Sequence, residues 1–201
     1  MSTRGFLGFV IDGTEKIAYN HCDSYPEYLG IRVLQWVRAN GHALAHDAIL
    51  RDRIGGPVDL IRQLRVVEDG SDPTDADIER LAPYTNRNVG GRTSRPEWYQ
   101  LLRETQGDPG AILTAGVVID GSSFPTDSLF AEFGYIVDLD AGTFEAYRGF
   151  QHEPHDQGRF AGRARADRDG YYPCALVASW PIGALPADDE LIAAFGGNED
   201  D

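Results

Sequence analysis

Apolar residues fill nearly every position from Phe6 to Ile11, and Lys16 to Asn20 beyond Asp12-Gly13 reads as its paired strand. An Asp-Gly pair between two such strands is a strong hairpin signal, because the tight turn needs positive φ at both central residues. Unbroken apolarity in the first run predicts a strand covered on both faces. Past Pro26 and Gly30 the period changes. Leu29, Val33, Trp36 and Val37 fall on one helical face, with Gly41 as the predicted stop. The spacing predicts a second helix over Ala43 to Arg53, ended by Gly55-Gly56-Pro57, and a short third with Val58, Ile61 and Leu64 on its inner side. Thr74 is placed to cap a helix running through Leu81, with Asp77 where a capping box carries Glu or Gln.

The second half alternates differently. A polar stretch from Tyr84 to Pro96 leads into a helix carrying Trp98, Leu101 and Leu102, and Asp108-Pro109-Gly110 breaks it. Ala111 to Ile119 fits a helix end followed by a strand, though periodicity alone does not decide. Leu129 to Val137 and Thr143 to Phe150 read as a second hairpin joined by Asp138 to Gly142, with an alternation that predicts one partly wet face. Gln151 to Gly170 is a long polar excursion, Cys174 to Trp180 a predicted buried strand, and Pro186 to Phe195 a last helix with acidic residues in its first turn. Hairpin, helices, hairpin and strand in this order predict an α+β fold. Its mainly antiparallel sheet is built from the N- and C-terminal hairpins and packed with several helices. One domain is predicted over residues 1–196, followed by an acidic disordered tail at 197–201.

Charge narrows the functional classes. With 18 basic against 32 acidic residues the net charge is −14, which argues against general nucleic-acid binding, where phosphate neutralisation needs excess Lys and Arg. No apolar run approaches the ~20 residues of a membrane span. Cys22 and Cys174 read as reduced thiols, and no signal peptide is evident, so the expected location is cytoplasmic. The expected partner is a small molecule or a protein, not nucleic acid or membrane. No cofactor is expected.

The densest potential chemistry lies at Asn20-His21-Cys22-Asp23-Ser24, which the first hairpin folds back toward the start of the chain. Removal of Met1 would leave Ser2 with a free α-amine, a base that can activate its own hydroxyl. Ser-Thr-Arg-Gly-Phe-Leu-Gly-Phe-Val at the head of a buried strand resembles the arrangement of N-terminal-nucleophile amidohydrolases. That reading makes Ser2 the nucleophile and Asn20 an oxyanion donor, with Arg4, His21 and Asp23 as the polar wall. Its bland counterpart is a strand-to-helix corner in which Asn20, Asp23 and Ser24 bond to backbone. His21 and Cys22, adjacent in a strand, would point to opposite faces, so His21 is poorly placed to activate the thiol. Arg87, Arg92 and Arg95 in a Gly- and Asn-rich stretch suggest an anion-holding loop, without any phosphate-loop pattern. His42 and His46 are spaced for a divalent ion on a helix but lack the Glu of a zinc-protease motif, and His152 and His155 with Glu153 and Asp156 fit a solvated turn equally well. No metal site is assigned.

Thr3-Arg4-Gly5, Gly8-Phe9, Tyr19-Asn20-His21 with Asp23-Ser24-Tyr25-Pro26, and the later Tyr135 to Asp140 and Tyr147 to Phe150 together resemble a family of small actinobacterial and phage proteins that brings no assigned activity. Cys22 stands where that family carries a bulkier residue, which counts against a nucleophilic thiol. Two functions are expected from these observations: a small hydrolase of amide-like bonds, or a non-catalytic, phage-related binding or interaction protein that uses the polar corner and the Arg-rich stretch.

Overall fold

The computed structural model describes residues 3–45, 48–82, 95–166 and 170–196. Asp12 (φ 52°) and Gly13 (φ 71°) supply the two positive φ angles of the first turn, pairing β1 (Gly5–Ile11) antiparallel with β2 (Thr14–Asn20). Every residue of β1 is buried, as its apolar run requires. The second hairpin joins β5 (Phe133–Asp138) to β6 (Thr143–Arg148), and β7 (Ala175–Pro181) adds antiparallel to β6. β1 and β5 lie side by side in parallel, giving a five-stranded, mostly antiparallel sheet of order β2-β1-β5-β6-β7. The fold is α+β. Asp140 ties the two hairpins together at one end, its carboxylate accepting from the backbone N–H groups of Asp12 (2.9 Å) and Gly13 (2.8 Å).

One face of the sheet carries the helices. Leu7, Phe9, Val137 and Phe144 meet α1 (Ile31–Leu44), α3 (Pro57–Gln63), α6 (Pro109–Ala115) and α7 (Asp188–Phe195) through Val33, Leu34, Ile61, Leu113 and Leu191. The predicted stop at Gly41 is not used: α1 runs on to Leu44, because Gly41 faces open space and Leu44 is buried in the same core. Part of the predicted second helix, at residues 46–47, lies outside the described residues; beyond them the chain forms α2 (Ala48–Arg51). A short parallel pair, β3 (Arg65–Val67) with β4 (Val117–Ile119), flanks β2 and is stitched to it where Gly121 N–H donates to the Ile17 carbonyl (2.9 Å). Behind it, α5 (Trp98–Leu102) buries Trp98, Leu101 and Leu102 against Ala115 and Val117.

The opposite face corrects two expectations. The 151–170 excursion is not merely solvated. It lays Phe160 across Phe6 and Tyr147, with ring centroids 5.6 and 4.8 Å apart, and so covers the face of the second hairpin expected to be wet. Gly134 makes this packing possible, since a side chain there would collide with the Phe6 ring. β7, expected to be buried, is the half-exposed edge of the sheet.

α4 (Asp75–Leu81) starts with the predicted capping box: Thr74 Oγ1 accepts from Asp77 N–H, and the Asp77 carboxylate accepts from Thr74 N–H. Burial alone would raise the Asp77 pKa, but hydrogen bonds from Thr74 and the pairing with Arg65 hold it below its ordinary value. A carboxylate with a depressed folded pKa contributes stability above its unfolded pKa and loses it as pH falls through the folded one. Asp77→Asn is therefore expected to cost about 1–2 kcal/mol at neutral pH. The gap to wild type should close as pH drops below about 4, read by urea denaturation across pH. A pH-independent gap would mean that the charge on Asp77 contributes nothing.

Candidate functional site at the β2 edge

Strand β2 ends in a corner that consumes most of the polar groups gathered there. Asp23 adopts a left-handed conformation (φ 54°), which breaks the strand alternation that would have put it on one face with His21. A π-helical turn over Pro26–Gly30 then leads into α1. Asn20, 4% exposed, donates both of its amide hydrogens, to the Cys22 carbonyl (2.5 Å) and to Ser24 Oγ (2.8 Å). Ser24 N–H donates to the Thr3 carbonyl (3.2 Å), and the Tyr135 hydroxyl donates to the Ser24 carbonyl (3.2 Å). Asn20 has no amide hydrogen left for an oxyanion, so the role assigned to it from sequence is corrected: it fixes the corner.

The other sequence candidates divide. Ser2, Arg87 and Arg92 lie outside the described residues, as does His46. Arg95 is engaged in the fold, donating from Nε and Nη2 to the Pro73 carbonyl and pairing with Asp75 at 2.8 Å, so it anchors the loop before α4 and is not offered to a ligand. Arg4 stacks over the Phe130 ring at 5.1 Å, its backbone N–H held by Glu132. His155 has both ring nitrogens committed, Nε2 to the Pro173 carbonyl (2.7 Å) and Nδ1 to Gln157 N–H (3.2 Å), while His152 packs on Tyr171. These contacts are structural and leave no pair of histidines poised for a metal in that loop.

His21 and Asp23 do line a hollow. A cavity of about 210 Å³ is bounded by Asn20 to Asp23, Tyr28, Arg32, Tyr99, Arg103 and Gln106. It adjoins a larger hollow of about 520 Å³ between β2, β4, α5 and the 121–127 segment; Tyr99 and Gln106 line both. A line of rings runs along the pair of hollows. Phe124 meets Tyr19 edge-on (5.0 Å), Tyr19 meets His21 (6.1 Å), and His21 meets Tyr99 (6.5 Å). The Tyr19 hydroxyl lies 3.0 Å from His21 Nδ1. Burial raises the Tyr19 pKa, with Arg4 acting in the opposite sense. Gln106 Oε1 accepts from His21 N–H (3.1 Å) and holds the ring line to the far wall.

Sequence reasoning found His21 and missed its neighbours. Tyr19 was accessible as the i−2 partner of His21 along a strand. Tyr99, Phe124, Arg32 and Arg103 carry no local signal that joins them to β2, because the sheet and α5 bring them there from distant parts of the chain.

The fold and this site define an α+β protein with a ligand-sized, ring-lined cleft at the edge of its sheet. Compared with protein-family models, with curated proteins and with solved structures, the chain finds no match. No helix among the described residues is long and apolar enough to cross a membrane.

Proposed function

We propose that this protein binds a small, largely apolar molecule in the cleft beside β2, as a binding protein and not as an N-terminal-nucleophile hydrolase. The observation that carries this reading is the ring-lined double hollow. Small-molecule sites are concave, mostly apolar, about 300–1,000 Å³ in volume and supplied with a few convergent polar groups. The larger hollow alone, at about 520 Å³, falls in that range. Its lining includes the apolar Ala18, Leu102, Ile112, Val118 and Ile119, the neutral polar Gln106, Ser123 and Thr126, and the carboxylates of Asp69, Asp120 and Asp127. The hydrolase reading loses its oxyanion donor to the corner, while the binding reading needs only groups that already face the cleft.

The test uses N-phenyl-1-naphthylamine, an uncharged aromatic probe whose fluorescence rises in apolar surroundings. Saturable binding is expected for wild type. Tyr99→Ala removes a ring shared by both hollows, and Ser123→Trp fills the larger one from an exposed position on its rim; each should weaken binding about tenfold or more. Wild-type binding that neither variant disturbs, or no saturable binding at all, would overturn the assignment.

A further inference from the structure

The two halves of the cleft differ in charge. Among the described residues, the larger hollow is lined by Asp69, Asp120 and Asp127 and by no Lys or Arg. The smaller is lined by Arg32, Arg103 and His21 against one carboxylate, Asp23. In a chain with 32 acidic residues, seven of the fourteen described arginines, Arg38, Arg62, Arg65, Arg80, Arg95, Arg159 and Arg163, are ion-paired with carboxylates. Arg32 and Arg103 are not among them. The Arg32 guanidinium donates only to the Gly107 carbonyl (3.4 Å), and neither arginine has a carboxylate partner among the described residues. Two cations and one carboxylate, Asp23, line this small cavity, and neither cation is ion-paired with a described carboxylate.

Resting on the binding role proposed above, we infer that the cleft is selective for a planar aromatic acid: the ring system lies along Phe124, Tyr19 and Tyr99, and the single anionic group enters the smaller hollow between Arg32 and Arg103. Orientation follows from the polarity of the cleft. The three carboxylates of the larger hollow repel an anion, whereas the two guanidinium groups attract it and offer planar donor forks suited to carboxylate, sulfonate or phosphate oxygens. The distance fits such a molecule. Gly121, on the wall of the larger hollow, is bonded to Ile17, and the extended rise from Ile17 to His21 spans about 13 Å. Both arginines are exposed, so the attraction is of the screened, surface kind and sets preference more than tightness.

Two probes with the same aromatic body separate this inference from the reading beneath it. 8-Anilinonaphthalene-1-sulfonate carries an anionic group that N-phenyl-1-naphthylamine lacks. At low ionic strength wild type is expected to bind the sulfonate at least about tenfold more tightly than the neutral probe. Arg32→Gln/Arg103→Gln should erase that preference, the sulfonate losing at least about tenfold more affinity than the neutral probe, as should about 0.5 M NaCl with wild type. Either single variant should lose part of it. If both probes bind wild type equally and Ser123→Trp weakens both, the cleft binds small molecules and the acid-selective half is wrong. A sulfonate preference that survives in the double variant likewise overturns the role of the two arginines. If neither probe binds, the cleft reading and the inference built on it fall together.

Discussion

Arg159→Met is expected to destabilise the protein by about 3–5 kcal/mol, seen as a large fall in the urea midpoint followed through Trp36, Trp98 and Trp180. Arg159 sits on the sheet face opposite the helices, its side chain 17% exposed, among three carboxylates. Its Nε donates to Glu145 Oε2 (2.9 Å) and its Nη2 to Glu145 Oε1 (2.8 Å), a bidentate pair, while Nη2 also reaches Asp138. Glu15 lies 3.6 Å away and is gripped a second time by Arg163 (2.6 Å). The Tyr147 hydroxyl donates to Glu145 (2.7 Å), and burial followed by that neighbouring charge pushes its pKa well up, so it stays a donor. Truncating the arginine leaves Glu145 and Asp138 buried beside each other without their cation, which is the expensive way to break such a cluster. Arg159→Lys should recover only part of the loss, because an ammonium cannot make the two-pronged contact. A loss under about 1 kcal/mol would show that water screens these carboxylates and that the cluster holds nothing together.

That cluster also marks where sequence reading stops. Asp12-Gly13, Thr74 with Asp77, and the acidic start of α7 were legible because each structure is decided within a few residues: two positive φ angles, a side chain reaching a backbone N–H three positions away, a dipole met by nearby carboxylates. The corner at Asn20 to Ser24 was legible as a backbone-bonding turn for the same reason. The parallel pairing of β1 with β5 joins segments about 128 positions apart and leaves no local trace. Nor does a polar run announce that it covers a sheet. Residues 151–170 read as a polar excursion because Arg159, Gly162 and Arg163 are polar or small, yet the carboxylates that hold Arg159 lie on β2, β5 and β6. The cleft follows the same rule. His21 was found because it sits in a conspicuous string, and Tyr99 and Arg103 were not, because only the packing of α5 against β4 carries them to it.

Lys16→Met should cost about 3 kcal/mol, an effect second only to that of Arg159. Lys16 points from β2 into the helical layer and is only 7% exposed, in a strand whose neighbours on that face are Ala18 and Asn20. Its ammonium donates to the carbonyls of Ile61 (2.9 Å), Arg62 (2.8 Å) and Leu64 (2.7 Å). These belong to the end of α3, where the last carbonyls of a helix have no partner within it. The lysine thus replaces a helix cap and at the same time welds α3 to the sheet, with its positive charge set against the negative end of the helix dipole. Burial draws its pKa below the ordinary lysine value, with Asp12 acting in the opposite sense. Methionine matches the length and apolar stem but supplies no donor, so three carbonyls are left in a place with little water. The stem's own packing is largely kept, which makes the lost hydrogen bonds the main change. Hydrogen exchange should locate the damage: amides of residues 57–64 should lose protection before those of β1 and β5. Uniform loss across the sheet would mean instead that Lys16 supports the global fold and not the end of α3 in particular. A variant as stable as wild type would show that water or a shifted α3 terminus satisfies the three carbonyls without it.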